Sequence, residues 1–218
     1  MKTVSIPATG NEYIVGKILC IGRNYVDHIK ELGNATPSAP VIFIKPATAI
    51  ITEGEQIRIP AYSQQCHYEA ELAVLIGTDA KDVSETEALS HVAGYGVAID
   101  MTLRDVQDAL KKQGLPWEIA KGFDTACPLS DFAPAAAVSD PQDLTIRLTL
   151  NGEERQNGST GLMITPVAQL ISYLSTIFTL EEGDVILTGT PAGVGQVVSG
   201  DRLQAEVTGV ATLSVSVA

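Results

Sequence analysis

The chain has 218 residues, of which 45% are hydrophobic and 18% are charged, so it can bury a core as a single domain. Lys and Arg number 14 against 26 Asp and Glu, which gives a net charge of −12. A chain this acidic is a poor electrostatic match for nucleic acid or an anionic membrane surface. We therefore expect neither as a partner, and a small molecule or a cation instead.

The compartment is predicted from the cysteines and from the apolar segments. Cys20, Cys66 and Cys127 lie far apart without a C-x-x-C motif, which predicts buried free thiols in a reducing environment. No apolar signal-peptide segment follows Met1, and the uncharged stretch 156–180 contains too many polar residues and a proline for a membrane span. The sequence therefore predicts a cytoplasmic protein.

Short strands and a few helices are predicted along the chain. Asn24 is the predicted N-cap of a helix over Tyr25–Leu32, and Ser84 and Glu87 form a capping-box pattern before a short helix. Thr102 is the predicted cap of a helix that stops at Gly114. Apolar runs or alternation predict strands at Val41–Lys45, Gln56–Pro60, Glu69–Ile76, Tyr95–Asp100 and Asp184–Thr188.

The second half of the chain carries hairpin signals on either side of one helix. Asn151-Gly152 follows an alternating strand over 144–150, and Thr208-Gly209 joins 203–207 to 211–217. Between them, Thr165 is the predicted N-cap of a helix whose first residue is Pro166. Many strands with interspersed helices predict a strand-rich α+β fold.

Paired carboxylates are the sharpest chemical feature. On the predicted strand, His67, Glu69 and Glu71 share one face, and the Cα atoms of the two acids are about 6.6 Å apart. Like charges that lead into an apolar run require a cation or raised pKa values. Asp100 ends the next apolar strand, and three carboxylates without a Cys or His cluster suit Mg²⁺ or Mn²⁺.

Three other interpretations of these acids stay open at this point. Glu69 and Glu71 are also what a solvated strand face would carry, with Asp100 as an ordinary residue at a helix entry. A glycosidase uses paired carboxylates as well, although only 5% of the chain is aromatic and sugar sites usually need rings. A cation-binding module without turnover would show the same three acids.

A histidine and an acid three residues apart form a second candidate pair. His28 and Glu31 are neighbours on one helix face, so Glu31 could orient His28 as a general base. The alternative is a surface pair beside the apolar stripe of that helix.

Two cations and a glycine-rich segment are candidates for binding an anionic substrate. The segment 188–195 follows a strand and could offer main-chain N–H groups, but it lacks the ending of a P-loop. Arg104 and Lys121 are candidate donors, because only three further cations follow Lys121. A plain glycine turn and ordinary surface charges are the alternatives.

Together these segments resemble the fumarylacetoacetate hydrolase family, in particular its short acylpyruvate hydrolases and oxaloacetate decarboxylases. The similar segments occur in the order of the family and extend from Lys17 to the C-terminus, which leaves residues 1–16 as an N-terminal extension and 17–218 as one catalytic domain. They are Gly22–Glu31, Pro40–Pro46, His67–Gly77, Gly94–Gln107, Gly114–Asp124 and Leu187–Gly195.

The resemblance implies mixed β-sheets rolled into a barrel-like core with peripheral helices, in a homodimer. It implies catalytic roles for His28, Glu31 and Lys121, Mg²⁺ or Mn²⁺ ligation by Glu69, Glu71 and Asp100, and substrate contacts from Arg23, Arg104, Gln107, Gly189 and Thr190. The predicted reaction is hydrolysis of an acylpyruvate to pyruvate and a carboxylic acid through an enolate that the metal stabilises. Oxaloacetate decarboxylation or tautomerisation and isomerisation of a 2-hydroxy dienoate diacid are the alternatives.

Overall fold

The structure is a computed structural model that describes all residues from Met1 to Ala218, and strands dominate it. The strands β1 to β18 are, in order, Thr3–Ile6, Asn11–Ile14, Lys17–Gly22, Val41–Pro46, Ile50–Ile51, Gln56–Ile57, Cys66–Tyr68, Ala70–Ile76, Val92–Ile99, Thr102–Leu103, Cys127–Pro128, Ala133–Pro134, Thr145–Leu150, Glu153–Ser159, Val185–Leu187, Gly195–Val197, Arg202–Val207 and Ala211–Val217. The α-helices α1 to α5 are Val26–Glu31, Glu85–Ala88, Arg104–Gln113, Glu118–Lys121 and Val167–Ile177. Short 3₁₀ turns occupy Ala47–Ala49, Leu89–His91, Ala135–Ala137 and Thr160–Leu162. The predicted strand-rich α+β class is confirmed.

Two large sheets enclose the core. One has the strand order β12-β9-β8-β15-β3-β4 and the other has the order β14-β13-β17-β18-β6. They face each other, because β17 and β18 lie against β9 while β13 lies against β8. Every residue of β8 is buried, which explains its nearly continuous apolar sequence. Smaller sheets, β1-β2, β11-β5 and β10-β7-β16, complete the fold.

Both predicted hairpins are present. Asn151 and Gly152 have φ values of 53° and 85° between β13 and β14, which is the left-handed turn that an Asn-Gly pair favours. The second hairpin pairs β17 with β18 in continuous register. At the other end of the chain, β1 and β2 also form a hairpin, whose Val4 and Ile6 are buried in the same hydrophobic core.

The structure corrects the predicted strand around the paired acids. The strand begins at Ala70, one residue after Glu69, and His67 belongs to the separate strand β7 of a different sheet. The chain therefore passes from one sheet to another at Glu69. This change of sheet could not be recognised from the sequence, because no turn residue separates the two segments.

Three predicted N-caps are wrong. Leu103 and Tyr25 precede α3 and α1, whereas Thr102 lies in a strand and Asn24 bonds distant main-chain oxygens. The last helix begins one residue later than expected, so Pro166 is its N-cap. The capping box of α2 at Ser84 is confirmed.

One edge of the six-stranded sheet gathers several strand ends. The main-chain N–H of Asp100 donates to the main-chain oxygen of Glu69 at 2.7 Å, so the end of β9 lies beside the start of β8. Leu187, the last residue of β15, pairs with Ala73 of β8 and with Cys20 of β3. Residues that follow β3, β9 and β15 therefore meet here. No helix in the fold is long and apolar enough to cross a membrane.

Candidate functional site

Three carboxylates converge at this sheet edge. Glu69 precedes β8, Glu71 lies within it and Asp100 follows β9. One oxygen from each side chain lies within 4.8 Å of an oxygen of the other two, and all three residues are buried. The predicted trio therefore meets, and the interpretation of Glu69 and Glu71 as a solvated strand face is wrong.

Both predicted cations face these acids. Lys121 ends α4, and its Nζ lies 2.9 Å from Glu69 Oε2 and 2.5 Å from Asp100 Oδ2. The same ammonium group donates to Thr102 Oγ1 at 2.6 Å. Arg104, the first residue of α3, pairs through Nη2 with the other oxygen of Glu69. Lys121 thus holds both Glu69 and Asp100, and Arg104 adds a second pair to Glu69.

A third cation, Lys45, was missed in the sequence analysis. It is completely buried in β4, and its Nζ lies 2.7 Å from Asp100 Oδ1. It also donates to the main-chain oxygens of Met101 and Lys121. The alternation of β4 places Lys45 on the face of the buried Phe43, and a lysine on such a face is rarely buried without a charged partner. That pattern was the available signal.

Glu69, Glu71 and Lys121 have shifted pKa values because they are buried next to other charged groups. Burial raises the pKa of Glu69, but the charges of Lys121 and Arg104 outweigh burial and hold it below its ordinary value. Burial, followed by the charges of Asp100 and Glu69, raises the pKa of Glu71 well above its ordinary value. Burial lowers the pKa of Lys121, but Asp100 and Glu69 outweigh burial and raise it, so Lys121 stays an ammonium group at neutral pH.

The donor set fits a hard divalent cation. Oδ1 of Asp100 is buried and accepts no hydrogen bond, because Lys45 approaches it outside hydrogen-bond geometry. Lys45 supplies positive charge to this oxygen but no hydrogen bond, so its lone pairs are available to a metal ion. The raised pKa of Glu71 likewise shows that positive charge is lacking at its carboxylate. A ligand set that contains only carboxylate oxygens suits Mg²⁺ and Mn²⁺, because both ions prefer oxygen ligands.

The segment after β15 lies against the acids. Gly189 donates its N–H to Glu71 Oε2 at 2.6 Å, and the Thr190 hydroxyl donates to the Ala70 oxygen at 2.8 Å. Gly189 has a φ of +96°, and a Cβ at this position would lie 2.8 Å from the Cβ of Asn24. Only glycine allows this turn without strain. The predicted segment is therefore part of the site.

The histidine–acid pair is also at the site. His28 on α1 is buried, its Nδ1 lies 3.3 Å from Glu31 Oε2, and its side chain is only 7% exposed. Glu31 Oε1 accepts the N–H of Gly193 at 3.0 Å, which joins α1 to the glycine-rich segment. His28 is therefore not a surface residue, as the alternative required, although Glu31 is exposed.

A polar pair on α3 faces the same space. Arg104 Nη1 donates to Gln107 Oε1 at 2.7 Å. Because a guanidinium group only donates, this bond fixes the Gln107 amide with its NH₂ group directed away from Arg104. Both side chains are buried and line one cavity with Glu69, Glu71, His28 and Lys121.

The opposite wall of this cavity is cationic. Arg23 follows β3 with a φ of 60°, and its Nη2 lies 3.4 Å from Asn34 Oδ1. Lys111 of α3 donates to the same Asn34 oxygen at 3.0 Å. Asn34 and Lys111 were not predicted, because the sequence separates them from each other by more than 70 residues and neither lies in a motif. The free volume is about 30 Å³, room for about two water molecules.

Comparisons with known proteins support this arrangement. The chain is 52% identical over 193 residues to the oxaloacetate tautomerase YcgM of Escherichia coli K12, with 88% of each chain covered. It is 50% identical over 200 residues to the mitochondrial oxaloacetate tautomerase FAHD1 of Bos taurus, covering 92% of this chain and 90% of the relative.

A solved structure shares nearly the whole fold. The fumarylpyruvate hydrolase of Pseudomonas aeruginosa, crystallised with Mn²⁺ and pyruvate, superposes with a TM-score of 0.95 at 37% identity, covering 99% of this chain and 95% of that one. The family model described as fumarylacetoacetate (FAA) hydrolase C-terminal matches residues 17–218. The chain therefore belongs to the fumarylacetoacetate hydrolase family.

Proposed function

We propose that this protein is a divalent-metal-dependent enzyme that interconverts the keto and enol forms of oxaloacetate. The observation that carries the proposal is the buried carboxylate trio, two of whose members, Glu69 and Glu71, line one cavity with His28. The identity of about half of the residues to two proteins named oxaloacetate tautomerases supports this reaction. Their names favour the reaction that the sequence analysis gave as an alternative over its first choice, hydrolysis.

Glu69, Glu71 and Asp100 are the proposed ligands of Mg²⁺ or Mn²⁺. An ion held there would act as a Lewis acid that stabilises negative charge developing on the oxygen at C2 of the substrate. The Mn²⁺ and pyruvate in the structure of the Pseudomonas hydrolase support both the metal and the substrate class.

The proton transfer is assigned to the histidine. Tautomerisation breaks one C–H bond at C3 and forms one O–H bond at the C2 oxygen, so a base must take the proton and an acid must return it. Glu31 accepts a hydrogen bond from Nδ1 of His28, which leaves the Nε2 lone pair as that base. Lys121 and Arg104 would compensate negative charge, while Gln107, Gly189 and Thr190 would hold the carboxylate beside the oxo group.

The cationic wall would bind the second carboxylate of a diacid. Arg23 and Lys111 share only the neutral oxygen of Asn34, and the nearest acid to Lys111, Asp108, is 3.6 Å away and half exposed. A carboxylate could therefore gain two charge-assisted hydrogen bonds there. Oxaloacetate carries such a group at C4.

Hydrolysis of an acylpyruvate is the second candidate. The close fold similarity to a fumarylpyruvate hydrolase favours it, and so does the pair of the buried His28 with Glu31, which could equally activate water. Water would then attack the distal carbonyl, and the C–C bond would break to give pyruvate and a carboxylic acid.

We further propose that the partner is a small 2-oxo acid and not nucleic acid or a membrane, and that the protein forms a homodimer. The net charge of −12 supports the exclusion of nucleic acid and of an anionic membrane as partners. The homodimer, the predicted boundary at residue 17 and the cytoplasmic location stay predictions.

A substrate panel tests the function. Oxaloacetate in its enol form, fumarylpyruvate and 2-hydroxyhepta-2,4-diene-1,7-dioate are each assayed with Mg²⁺, Mn²⁺ or EDTA, and the products are identified by NMR. We expect fast, EDTA-sensitive loss of the enol absorbance without loss of carbon. Activity that survives EDTA, or metal binding without turnover of any 2-oxo acid, would contradict the proposal and favour the glycosidase or the cation-binding module.

A further inference from the structure

Gln156 of β14 connects the second sheet to the site. It is completely buried, and its Oε1 accepts the N–H of Ala70 at 2.9 Å, between Glu69 and Glu71. Its Nε2 donates to Thr190 Oγ1 at 2.8 Å and to the Pro191 oxygen at 2.9 Å. One amide group therefore joins the start of β8 to the segment after β15.

The orientation of this amide is determined by its neighbours. If its oxygen and nitrogen were exchanged, the NH₂ group would face the Ala70 N–H and the oxygen would face the Pro191 oxygen. Both contacts would be repulsive, since the first joins two donors and the second joins two acceptors. Only the observed orientation satisfies all the groups.

The fixed amide also determines where the Thr190 proton lies. Gln156 can only donate to Thr190 Oγ1, so the single hydroxyl proton goes to the Ala70 oxygen, 2.8 Å away. The hydroxyl group therefore has no donor left for a ligand. The main-chain N–H of Thr190 is available to a ligand, because no protein group accepts it. The residue is 98% buried and lines the cavity.

The backbone of β14 adds to this contact. A Cβ at Gly158 would lie 2.4 Å from the Cβ of Pro191, and one at Gly193 would lie 2.1 Å from the Arg155 oxygen. Both glycines allow the segment 190–193 to rest directly on the strand that carries Gln156.

We infer that Gln156 is a positioning residue that holds Thr190, and that the main-chain N–H of Thr190, not its hydroxyl group, binds the carboxylate of the 2-oxo acid. This inference rests on the proposed function, because it assumes a 2-oxo acid in the cavity. Gln156 itself would not touch the substrate, since it lies behind the loop.

Binding of oxalate to the Mn²⁺-loaded protein tests the inference, because oxalate has the paired oxygens of a 2-oxo acid without reacting. We expect Gln156→Leu to weaken oxalate about tenfold, or about 1.4 kcal/mol. The KM for oxaloacetate should rise by a similar factor while kcat and the Mn²⁺ affinity change less than about threefold.

A matched control and a second variant complete the design. Gln142 also accepts one N–H and donates twice, but to Thr160 and Met163, which do not line the cavity, so Gln142→Leu should leave oxalate binding unchanged. Gln156→Glu keeps the acceptor for Ala70 and replaces Gln156→Leu if that variant does not fold. Wild-type affinity for oxalate in the folded Gln156 variant would overturn the inference. Failure of the wild type itself to bind Mn²⁺ and oxalate would instead overturn the proposed function.

Discussion

Asp100 lies between two ammonium groups, at 2.5 Å from Lys121 and 2.7 Å from Lys45, and still has an oxygen without a hydrogen bond. The lysines neutralise its charge and fix the plane of its carboxylate, Lys121 at Oδ2 and Lys45 at Oδ1. At the scale of single residues, both oxygens are therefore held by charge, while Oδ1 accepts no hydrogen bond and keeps lone pairs for a metal ion.

Replacement of Asp100 by asparagine should remove metal binding. The neutral amide loses the charge that a divalent ion requires, so we expect Mn²⁺ affinity to fall by at least about 100-fold, measured by EPR titration. Asp184 is an equally buried acid, 2.5 Å from Lys17 and at the opposite end of β15, and serves as the control. Asp184→Asn should lower Tm but keep Mn²⁺ affinity; equal affinity in Asp100→Asn would show that the trio is not the metal site.

The roles of His28 can be separated by reaction. Tautomerisation and hydrolysis both need a base, whereas oxaloacetate decarboxylation needs only the electron-withdrawing metal. His28→Ala should therefore reduce the first two about 100-fold or more and retain much of the decarboxylation. His91, a histidine near the surface, provides the control variant His91→Ala. Equal loss of all three reactions would refute this division of roles.

The cationic wall predicts a preference for diacids. Lys111→Met should raise the KM for oxaloacetate about tenfold, because a charge-assisted hydrogen bond to the C4 carboxylate is lost, and leave the affinity for pyruvate unchanged. Lys112→Met on the same helix is the control. Similar losses for oxaloacetate and pyruvate would place Lys111 at the shared carboxylate instead.

At the scale of elements, the segment after β15 depends on its glycines. Gly189 combines a φ of +96° with close approach to Asn24, and its N–H binds Glu71. This one residue thus couples backbone conformation to a proposed metal ligand.

Gly189→Ala should destabilise the fold and impair the site together. The left-handed conformation and the contact with Asn24 should lower the free energy of unfolding by about 2 to 3 kcal/mol and weaken Mn²⁺ binding. Gly209 has a φ of +74°, and a Cβ added there would have no neighbouring atom within 4 Å. Gly209→Ala therefore isolates the conformational cost, about 1 kcal/mol. Chemical denaturation measures both, and equal effects would exclude a clash at Gly189.

Local sequence signals predicted some elements well and others badly for a physical reason. The hairpin at Asn151-Gly152 and the capping box at Ser84 depend on neighbours in the chain, and both are present. Asn24 and Thr102 have the side chains of N-caps, but long-range partners use those side chains instead. Competition of this kind between local and distant hydrogen bonds cannot be resolved without the fold.

At the scale of the molecule, the acidic trio is matched by three buried cations, Lys45, Lys121 and Arg104. The spacing of the carboxylates predicted the acids, and the scarcity of cations singled out Arg104 and Lys121. The roles of Lys45 and Gln156 could not be assigned, because their partners lie more than 30 residues away in the sequence.

Metal binding should depend on pH through Glu71. Its raised pKa means that the folded protein binds this proton more tightly than the unfolded chain does. The resulting stability is complete below the ordinary carboxyl pKa of about 4.3 and is lost as pH rises towards the raised pKa. Mn²⁺ competes with the same proton, so the rise in Tm on adding Mn²⁺ should be larger at about pH 8 than at about pH 5.5.

Differential scanning fluorimetry measures this dependence. In the absence of metal, Glu71→Gln should flatten the decline of Tm with rising pH, because the amide resembles the neutral acid. An Mn²⁺-induced rise that is the same at both pH values would show that no proton leaves the ligand set.

Because lysine and arginine side chains compensate Glu69 and Asp100, and a proton can neutralise Glu71, we expect the polypeptide to fold before any metal arrives. Synthesis of the scaffold and uptake of the proposed metal would then be separate events. The choice between magnesium and manganese would depend on the cellular supply of each ion and not on folding.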